Sequence, residues 1–194
     1  MLDYMQSLVG IDEVGRGCWA GPLLAAAVIL NEPIEGLSDS KKLTKKHRNE
    51  LAQQIKATAA YGIGWVDASE IDEIGLTRAT QKAMKTALKN MRIDYAIAES
   101  IYEIVIDGDY NYLAGNPNVR TMIKADSLVP AVSAASILAK VARDEYMTKI
   151  ALEYPLYQFE KHVGYGTKLH HELLKLHGVS SLHRMSYKPI RALL

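Results

Sequence analysis

The hydrophobic positions in the first third of the chain come in short runs and not at helical spacing. Residues 7–11, 22–30 and 61–66 are largely apolar, and glycines separate the first two runs. This pattern predicts three strands with buried side chains. Between the second and third strand, Thr44 is placed to cap a helix whose apolar residues repeat every four positions.

The rest of the chain alternates helical and extended patterns. Ser69 and Asp72 have the spacing of a capping box ahead of a helix, 104–106 and 119–124 are predicted strands, and 134–147 is strongly helical. Three early strands followed by this alternation predict a mixed sheet with helices on both faces. The C-terminal part is rich in histidine, lysine and tyrosine and predicts an appended helical subdomain.

Composition limits the class of protein. The chain has 194 residues, of which 48% are hydrophobic and 23% charged, and this is typical of one soluble globular domain. No apolar run reaches the roughly 18 residues of a membrane span, and the acidic Asp3 does not suit a signal peptide. We therefore expect a cytoplasmic protein. The single cysteine, Cys18, excludes an internal disulfide.

Basic residues cluster although the net charge is only +1. One cluster falls within eight residues and consists of Lys41, Lys42, Lys45, Lys46 and Arg48. A second basic run extends over 161–191. Both are compatible with nucleic-acid binding, but such runs are also common on solvated helical faces, so charge alone does not establish a nucleic-acid partner.

Four acids stand at the ends of predicted elements. Asp12 and Glu13 follow the apolar segment 9–11, Asp107 follows the strand at 104–106, and Asp126 precedes a helix. Turn preference explains each acid alone. Neighbouring residues of a strand point to opposite faces, so the first two acids share a site only if the strand bends near Gly15.

Four carboxylates in one site repel one another and need a cation to stay ionised. Oxygen ligands without cysteine or histidine favour Mg²⁺ or Mn²⁺ over Zn²⁺. Two such ions, roughly 4 Å apart, support phosphodiester hydrolysis by an activated water molecule. This chemistry needs no nucleophile from the protein.

Residues 10–17, Gly-Ile-Asp-Glu-Val-Gly-Arg-Gly, resemble the N-terminal signature of ribonuclease HII. Further segments match the family pattern in chain order. They are Ala20-Gly21-Pro22, Asp39-Ser40-Lys41-Lys42-Leu43, Ile106-Asp107-Gly108, Lys124-Ala125-Asp126, the helical segment 134–140, Gly164-Tyr165-Gly166-Thr167 and His183-Arg184-Met185-Ser186. The resemblance implies an α/β, ribonuclease H-like fold: a five-stranded mixed sheet flanked by helices, with a helical C-terminal extension. It implies one catalytic domain over 1–194, in which about 150–194 contribute to substrate binding.

The resemblance also assigns roles to individual residues. The four metal ligands are expected to be Asp12, Glu13, Asp107 and Asp126. The backbone of Gly15, Arg16 and Gly17 is expected to reach the ribose 2′-hydroxyl at an RNA-to-DNA junction, and the Tyr165 ring to pack on the following deoxyribose. Three further residues are expected to hold backbone phosphates without reading base sequence. They are Ser40, Lys41 and Lys42.

Several residues are weaker candidates for substrate contacts or differ from the family pattern. His183, Arg184 and Lys188 are either further phosphate contacts or surface and capping groups. Cys18-Trp19 stands where the family often has Pro-Leu, and Val163 where it often has lysine, which affects the local loop shape and one phosphate contact. Cys18 is interpreted as a small apolar filler. A zinc site from His170, His171 and His177 is disfavoured, because they lie on a predicted surface helix, and Lys140 and Asp144 are expected to form an ion pair.

The implied function is endonucleolytic hydrolysis of the RNA strand of RNA/DNA hybrids, with incision 5′ of ribonucleotides embedded in duplex DNA. The products would carry 3′-hydroxyl and 5′-phosphate ends, and the active complex would hold two divalent ions. Alternatives are another carboxylate-cluster nuclease, such as a junction resolvase, ribonuclease HI or ribonuclease HIII, and an inactive hybrid-binding module. The resemblance further implies a monomer without membrane association, and the sequence does not decide whether a sliding clamp recruits it.

Overall fold

The computed structural model describes residues 8–37, 43–91 and 102–194. At its centre is a five-stranded sheet in the order β3-β2-β1-β4-β5. The strands are β1 (Leu8–Val14), β2 (Leu23–Ile29), β3 (Ala60–Val66), β4 (Glu103–Asp107) and β5 (Val119–Met122). β1, β2 and β3 are antiparallel neighbours, whereas β4 runs parallel to β1 and β5 parallel to β4. The carboxyl ends of β1, β4 and β5 therefore lie at the same edge of the sheet.

Helices cover the sheet and continue beyond it. They are α1 (Lys45–Thr58), α2 (Ala68–Ile74), α3 (Leu76–Lys89), α4 (Ala125–Leu128), α5 (Pro130–Ile150), α6 (Phe159–His162), α7 (Lys168–His177) and α8 (Lys188–Arg191). A single 3₁₀ turn, Pro155–Tyr157, precedes α6. The mixed sheet with flanking helices and C-terminal helices is confirmed. Of the helices in the described ranges, none combines the length and the apolar character needed to cross a membrane.

The two faces of the sheet bury separate cores. One core holds Leu8, Ala26 and Val28 together with residues of α1 and α5. The other holds Val9 and Ala25 together with residues of α2 and α3. Since successive side chains of a strand point to opposite faces, β2 contributes to both cores. This explains why its sequence is apolar at every position and not at alternate positions.

Helix α5 crosses β1 in direct backbone contact at Gly10. A Cβ atom at this position would lie 2.2 Å from the backbone nitrogen of Val132, which is far inside van der Waals contact. Ser136 follows one helical turn later, and its side chain hydrogen-bonds Asp12. The close packing of helix on strand thus fixes the helix beside the first candidate ligand.

Two predicted helix caps have different outcomes. The Thr44 cap of α1 is confirmed, because its hydroxyl oxygen accepts from the backbone N–H of His47 at 3.2 Å. The capping box at Ser69 and Asp72 is wrong, since α2 begins at Ala68 with Asp67 as the residue before it. Asp72 instead binds the C-terminal segment, as its carboxylate accepts from the backbone N–H groups of Met185 and Ser186 at 2.7 and 2.9 Å.

The C-terminal helical pieces share a third apolar cluster. It is anchored on the end of α5 by Met147 and on the loop after β1 by Ala20, and it includes Phe159, Leu174 and Ile190. Because Ala20 and the C-terminal residues share this cluster, the C-terminal pieces pack onto the loop that follows β1. Their expected contribution to substrate binding stays a prediction.

Candidate active site

Acidic side chains gather where three neighbouring strands end. Asp12 lies on β1, and Asp107 is the last residue of β4. These parallel strands are paired up to Ile11 and Ile106, so the two acids occupy the next position on neighbouring strands. Asp126 follows β5 and lies in the first turn of α4. Asp12 and Asp126 are buried, with 8% and 6% of their surface exposed.

Asp107 connects the end of β4 to the start of α4. Its Oδ1 accepts a hydrogen bond from the backbone N–H of Ala125 at 2.7 Å. Lys124, just before this helix, adopts a left-handed conformation with φ of 61°, which is uncommon for a residue with a side chain. This turn and the hydrogen bond set the place of Asp126 beside the end of β4.

Glu13 joins the group from the other face of β1. The strand stays paired with β2 through both acids and up to Val14, so the chain turns only after them, at Gly15 with φ of 88°. The backbone N–H of Glu13 donates to Oδ1 of Asp12 at 2.8 Å. Arg16 approaches from the turn, with Nη1 at 3.3 Å from Oε1 of Glu13.

The electrostatics of the site disfavour bare carboxylates. Burial raises the pKa of Asp12 well above its usual value, the charges of Glu13 and Asp107 raise it further, and the hydrogen bond from Ser136 opposes them. Burial also raises the pKa of Glu13, and the neighbouring Arg16 lowers it. For Asp12 and Glu13 the cost of burial therefore exceeds the compensation that Ser136 and Arg16 provide, so the ionised forms of these two acids are disfavoured.

The donor set fits a hard divalent cation. Oε2 of Glu13 is buried and has no hydrogen-bond partner within the described part of the chain. Carboxylate oxygens are the ligands that Mg²⁺ and Mn²⁺ prefer. As the side chains stand, no three His, Cys, Asp or Glu side chains of the described residues form a group that could hold an ion. Asp12 and Asp107 each use Oδ1 to accept from a backbone N–H, and the remaining lone pairs of each carboxylate are still available to a cation.

The Gly15-Arg16-Gly17 turn lies directly beside these acids. The Arg16 guanidinium is held over the Tyr112 ring, 5.3 Å from its centroid, while it pairs with Glu13. At Gly17 a Cβ atom would meet no protein atom within 4 Å. The glycine is not required by packing, and the open space above it leaves the backbone accessible to a ligand.

Tyr165 is brought to the same turn. It forms an isolated antiparallel bridge with Cys18, and the adjacent Gly164 carbonyl accepts from the backbone N–H of Trp19 at 2.8 Å. The ring keeps 37% of its surface exposed, and the ammonium of Lys140 lies 5.7 Å from its centroid. Burial is the main cause that raises the pKa of the hydroxyl to about 12, so it remains protonated at neutral pH.

Comparison with known proteins identifies the family. The family model of ribonuclease HII matches residues 9–190, a range that contains the four acids, the Gly-Arg-Gly turn and Tyr165. The chain belongs to the ribonuclease HII family. A ribonuclease HII of Caldicellulosiruptor bescii is 45% identical over 183 residues, which cover 93% of this chain and 85% of that protein. The chain is therefore a ribonuclease H endonuclease, a class that acts on RNA/DNA hybrids.

Solved structures related to the ribonuclease HII family share the fold. The ribonuclease H2 of Pyrococcus horikoshii OT3 matches with a TM-score of 0.77 and 28% identity, over 96% of this chain and 96% of that chain. Bst-RNase HIII, solved in complex with Mn²⁺, matches with a TM-score of 0.71 and 19% identity, over 97% of this chain and 70% of that chain. At this lower identity the similarity shows the fold alone.

Two buried arginines hold the family's Gly-Arg-Gly turn in place, a role that neither residue's sequence context predicts. Arg143 donates to the carbonyl oxygens of Pro22, Ala20 and Val163, at 2.9, 3.0 and 2.7 Å. Arg184 donates through Nε and Nη2 to the Gly21 carbonyl, at 3.1 and 2.9 Å, and through Nη1 to the carbonyl oxygen of Arg16 at 3.0 Å. Both are fully buried. The two side chains fix residues 16–22 to α5 and to the C-terminal segment.

The expectation of a phosphate contact is wrong for two of the weaker candidates. Arg184 and His183 have 0% and 1% of their surface exposed, and their polar atoms already have protein partners. Lys188 is exposed at the start of α8, and its role stays a prediction. Ser40, Lys41 and Lys42 lie outside the described residues.

The departures from the ribonuclease HII pattern are accommodated locally. Trp19 packs under Gly166, where a Cβ atom would lie 2.1 Å from the indole ring. Val163 adopts a left-handed conformation with φ of 44°. Cys18 is completely buried, and burial raises the pKa of its thiol, as suits an apolar filler.

Two further interpretations are decided by the contacts. The ion pair between Lys140 and Asp144 is confirmed at 2.8 Å. The placement of His170 on the surface is wrong, because it is fully buried and its Nε2 lies 3.0 Å from Nε2 of His183. His177, in contrast, is exposed at the end of the same helix.

Proposed function

We propose that this ribonuclease H cuts the phosphodiester bond on the 5′ side of a ribonucleotide, both in RNA/DNA hybrids and at ribonucleotides embedded in duplex DNA. The observation that carries the proposal is the position of the Gly-Arg-Gly turn. It lies directly beside the acids, and Tyr165 is bound to the same loop through its bridge with Cys18. Groups suited to recognise a sugar thus adjoin groups suited to hydrolyse the neighbouring phosphate.

In this proposal Asp12, Glu13, Asp107 and Asp126 hold two divalent ions, Mg²⁺ or Mn²⁺. Support comes from the buried, unpartnered Oε2 of Glu13 and from the raised pKa of Asp12 and Glu13. Bound ions would supply an activated water molecule and stabilise the leaving 3′ oxygen. The Mn²⁺ complex of Bst-RNase HIII, a protein of the same fold, agrees with this choice of ions. The products would carry 3′-hydroxyl and 5′-phosphate ends.

The residues of this chain have distinct tasks around the cut. The backbone at Gly17 is open to a ligand, and only a residue without a side chain lets the main chain approach a ribose 2′-hydroxyl closely. The half-exposed Tyr165 ring would pack on the next sugar and exclude a second 2′-hydroxyl there. Arg16 would hold Glu13 in place until substrate arrives.

A further set of residues would hold the backbone phosphates of the substrate. Ser40, Lys41 and Lys42 are proposed for this task, since contacts of this kind position a duplex without reading its bases. Selectivity would therefore depend on the sugar and not on the base. The alternative of an inactive hybrid-binding module would require the loss of at least one of the four acids, and all four are present.

We expect Tyr165→Phe to weaken junction selectivity more than cleavage of a long hybrid. The change keeps the ring but removes the hydroxyl, so it deletes one hydrogen-bonding group at the sugar. The test compares kcat/KM for a DNA duplex with one embedded ribonucleotide and for a long RNA/DNA hybrid, with the cut sites mapped. The ratio of the two values should fall roughly three- to tenfold, the value of one hydrogen bond.

A matched control is Tyr154→Phe, which removes a hydroxyl that lies 3.0 Å from Ser181 Oγ in the C-terminal part. It should leave the ratio at the wild-type value. Equal ratios for Tyr165→Phe and wild type would contradict the sugar-sensing role of Tyr165. If the wild-type enzyme cut on the 3′ side of the ribonucleotide, the proposed function itself would be contradicted.

A further inference from the structure

A pair of buried histidines lies directly beneath the Tyr165 loop. His170 on α7 and His183 near the C-terminus have 0% and 1% of their surface exposed, and their Nε2 atoms are 3.0 Å apart. We call these two residues the histidine pair. His162 stacks on His170 with ring centroids 4.3 Å apart, and Phe159 closes the other side at 5.8 Å from both rings of the pair.

The hydrogen bonds around the histidine pair fix the tautomer of each ring. The backbone N–H of Ser180 donates to Nδ1 of His183 at 2.9 Å, so this atom carries no proton. The Ser180 hydroxyl also lies 2.9 Å from this Nδ1 and can itself donate to it, while the Ser180 carbonyl lies farther away at 3.3 Å and already accepts from the backbone N–H of His183 at 3.0 Å. The backbone N–H of Ser180, which can only donate, therefore decides the tautomer. The proton of a neutral His183 is therefore on Nε2, and it points at Nε2 of His170.

The same argument continues through the second ring. Nε2 of His170 accepts from His183, so the proton of His170 is on Nδ1, which lies 3.0 Å from the carbonyl oxygen of Tyr165. Burial lowers the pKa of both rings to about 4, so both are neutral near pH 7. A directed chain of hydrogen bonds thus runs from Ser180 through the histidine pair to Tyr165.

The chain ends at the backbone that sets the direction of the Tyr165 ring. The Tyr165 carbonyl also accepts from Thr167 N–H at 2.8 Å, and its own N–H donates to the carbonyl of His162 at 2.9 Å. The side chain of His162 in turn accepts from Gly164 N–H at 3.3 Å. The peptide groups on both sides of Tyr165 are therefore held from below, while the ring faces outwards.

We propose that His170 and His183 are positioning residues for Tyr165, and that their hydrogen bond to its carbonyl sets the orientation of the ring against the sugar. The inference rests on the proposed function, because it assigns the pair a part in the selectivity of the same site. The histidine pair does not touch substrate. Its effect on cleavage passes through the position of one ring.

The test uses three changes in the pair and measures the selectivity ratio, which is kcat/KM for the embedded ribonucleotide divided by kcat/KM for a long hybrid. His170→Leu preserves volume but removes the donor to Tyr165, and the ratio should fall roughly tenfold, in the range expected when a positioned group is displaced. His170→Asn places an N–H donor where Nδ1 stands and should restore most of the ratio. His183→Asn keeps an acceptor for Ser180 and should give an intermediate loss.

Two comparisons separate positioning from a merely structural role. In a Tyr165→Ala background the ring is absent, so His170→Leu should lower the ratio no further. His177→Ala, on the exposed end of the same helix, should leave both the ratio and the melting temperature unchanged. The His170→Asn and His183→Asn variants keep the test decisive if His170→Leu does not fold.

The outcomes distinguish the two proposals. A wild-type ratio in Tyr165→Ala would overturn the sugar-sensing role of Tyr165. If the ratio changes in Tyr165→Ala but keeps its wild-type value in the folded variants of the histidine pair, only the positioning role of the pair would be overturned. An equal loss caused by His170→Leu with and without the Tyr165 ring would overturn it as well.

Discussion

Asp107→Asn should abolish cleavage while leaving the fold intact. Asn retains an Oδ1 atom that can accept the hydrogen bond from Ala125 N–H, so the contact between β4 and α4 survives. The change removes one negative charge from the group that is proposed to hold the ions. We expect kcat to fall on the order of 10³-fold, the scale seen when one group that stabilises transition-state charge is removed.

The measurement is single-turnover cleavage of a hybrid, combined with circular dichroism and thermal unfolding. Asp109→Asn is the matched control, because Asp109 is an exposed acid two residues further along the same loop. It should retain wild-type turnover. Near-normal turnover of Asp107→Asn, with an unchanged melting temperature, would remove Asp107 from the proposed ligand set.

Arg184→Met should strongly destabilise the protein. The guanidinium donates to the carbonyl oxygens of Gly21 and Arg16, each of which is more than 160 residues away in the sequence. Without it, the buried Gly21 carbonyl loses both guanidinium donors, whereas the Arg16 carbonyl keeps the Tyr187 hydroxyl as a donor at 2.5 Å. One unsatisfied buried acceptor costs about 1–3 kcal/mol, so the free energy of unfolding should fall by about 1–3 kcal/mol and the melting temperature by roughly 2–12 °C.

Calorimetric unfolding checks this expectation. Arg191→Met is the control, because Arg191 is exposed on α8 and its loss should change stability little. The hydrogen bonds of Arg184 run to Gly21, Arg16 and Tyr187 and not to the four acids, so its loss should act through the position of the Gly-Arg-Gly turn. A stable Arg184→Met variant would contradict the interpretation of Arg184 as the anchor of this turn.

The sheet and the positions of the acids could be predicted from the sequence because both depend on local patterns. Two strand ends can be recognised from local sequence alone, because one apolar run leads into Asp12 and another ends in Asp107. The parallel pairing of β1 and β4 then brings these ends together. The mutual role of the acids as ligands remains a prediction, as does the use of Ser40, Lys41 and Lys42.

The polar contacts of the C-terminal part could not be predicted, because their partners are distant in sequence. Arg184 resembles a phosphate contact in a basic run until the fold shows that its acceptors belong to the loop after β1. His170 lies in a polar segment that is typical of a surface helix, yet its side chain is buried against His183. Asp72 has the spacing of a helix cap, yet Met185 and Ser186 are its donors.

In the loop after β1, a departure from the family pattern is accommodated by a glycine that is distant in sequence. Trp19 occupies a position where a smaller residue is common, and its indole fills the space that the missing side chain of Gly166 leaves. The turn and the Tyr165 loop therefore stay in contact despite the larger side chain. The contact between Trp19 and Gly166 could not be predicted, because the two positions are almost 150 residues apart in the sequence.

The most direct test of the proposed function is cleavage of a DNA duplex that contains one ribonucleotide, with Mg²⁺, with Mn²⁺ and with a chelator, mapped at nucleotide resolution. We expect one incision on the 5′ side of the ribonucleotide with either ion, leaving 3′-hydroxyl and 5′-phosphate ends, and no product with the chelator. Cleavage that persists in the chelator, or an incision on the 3′ side of the ribonucleotide, would contradict the proposed function.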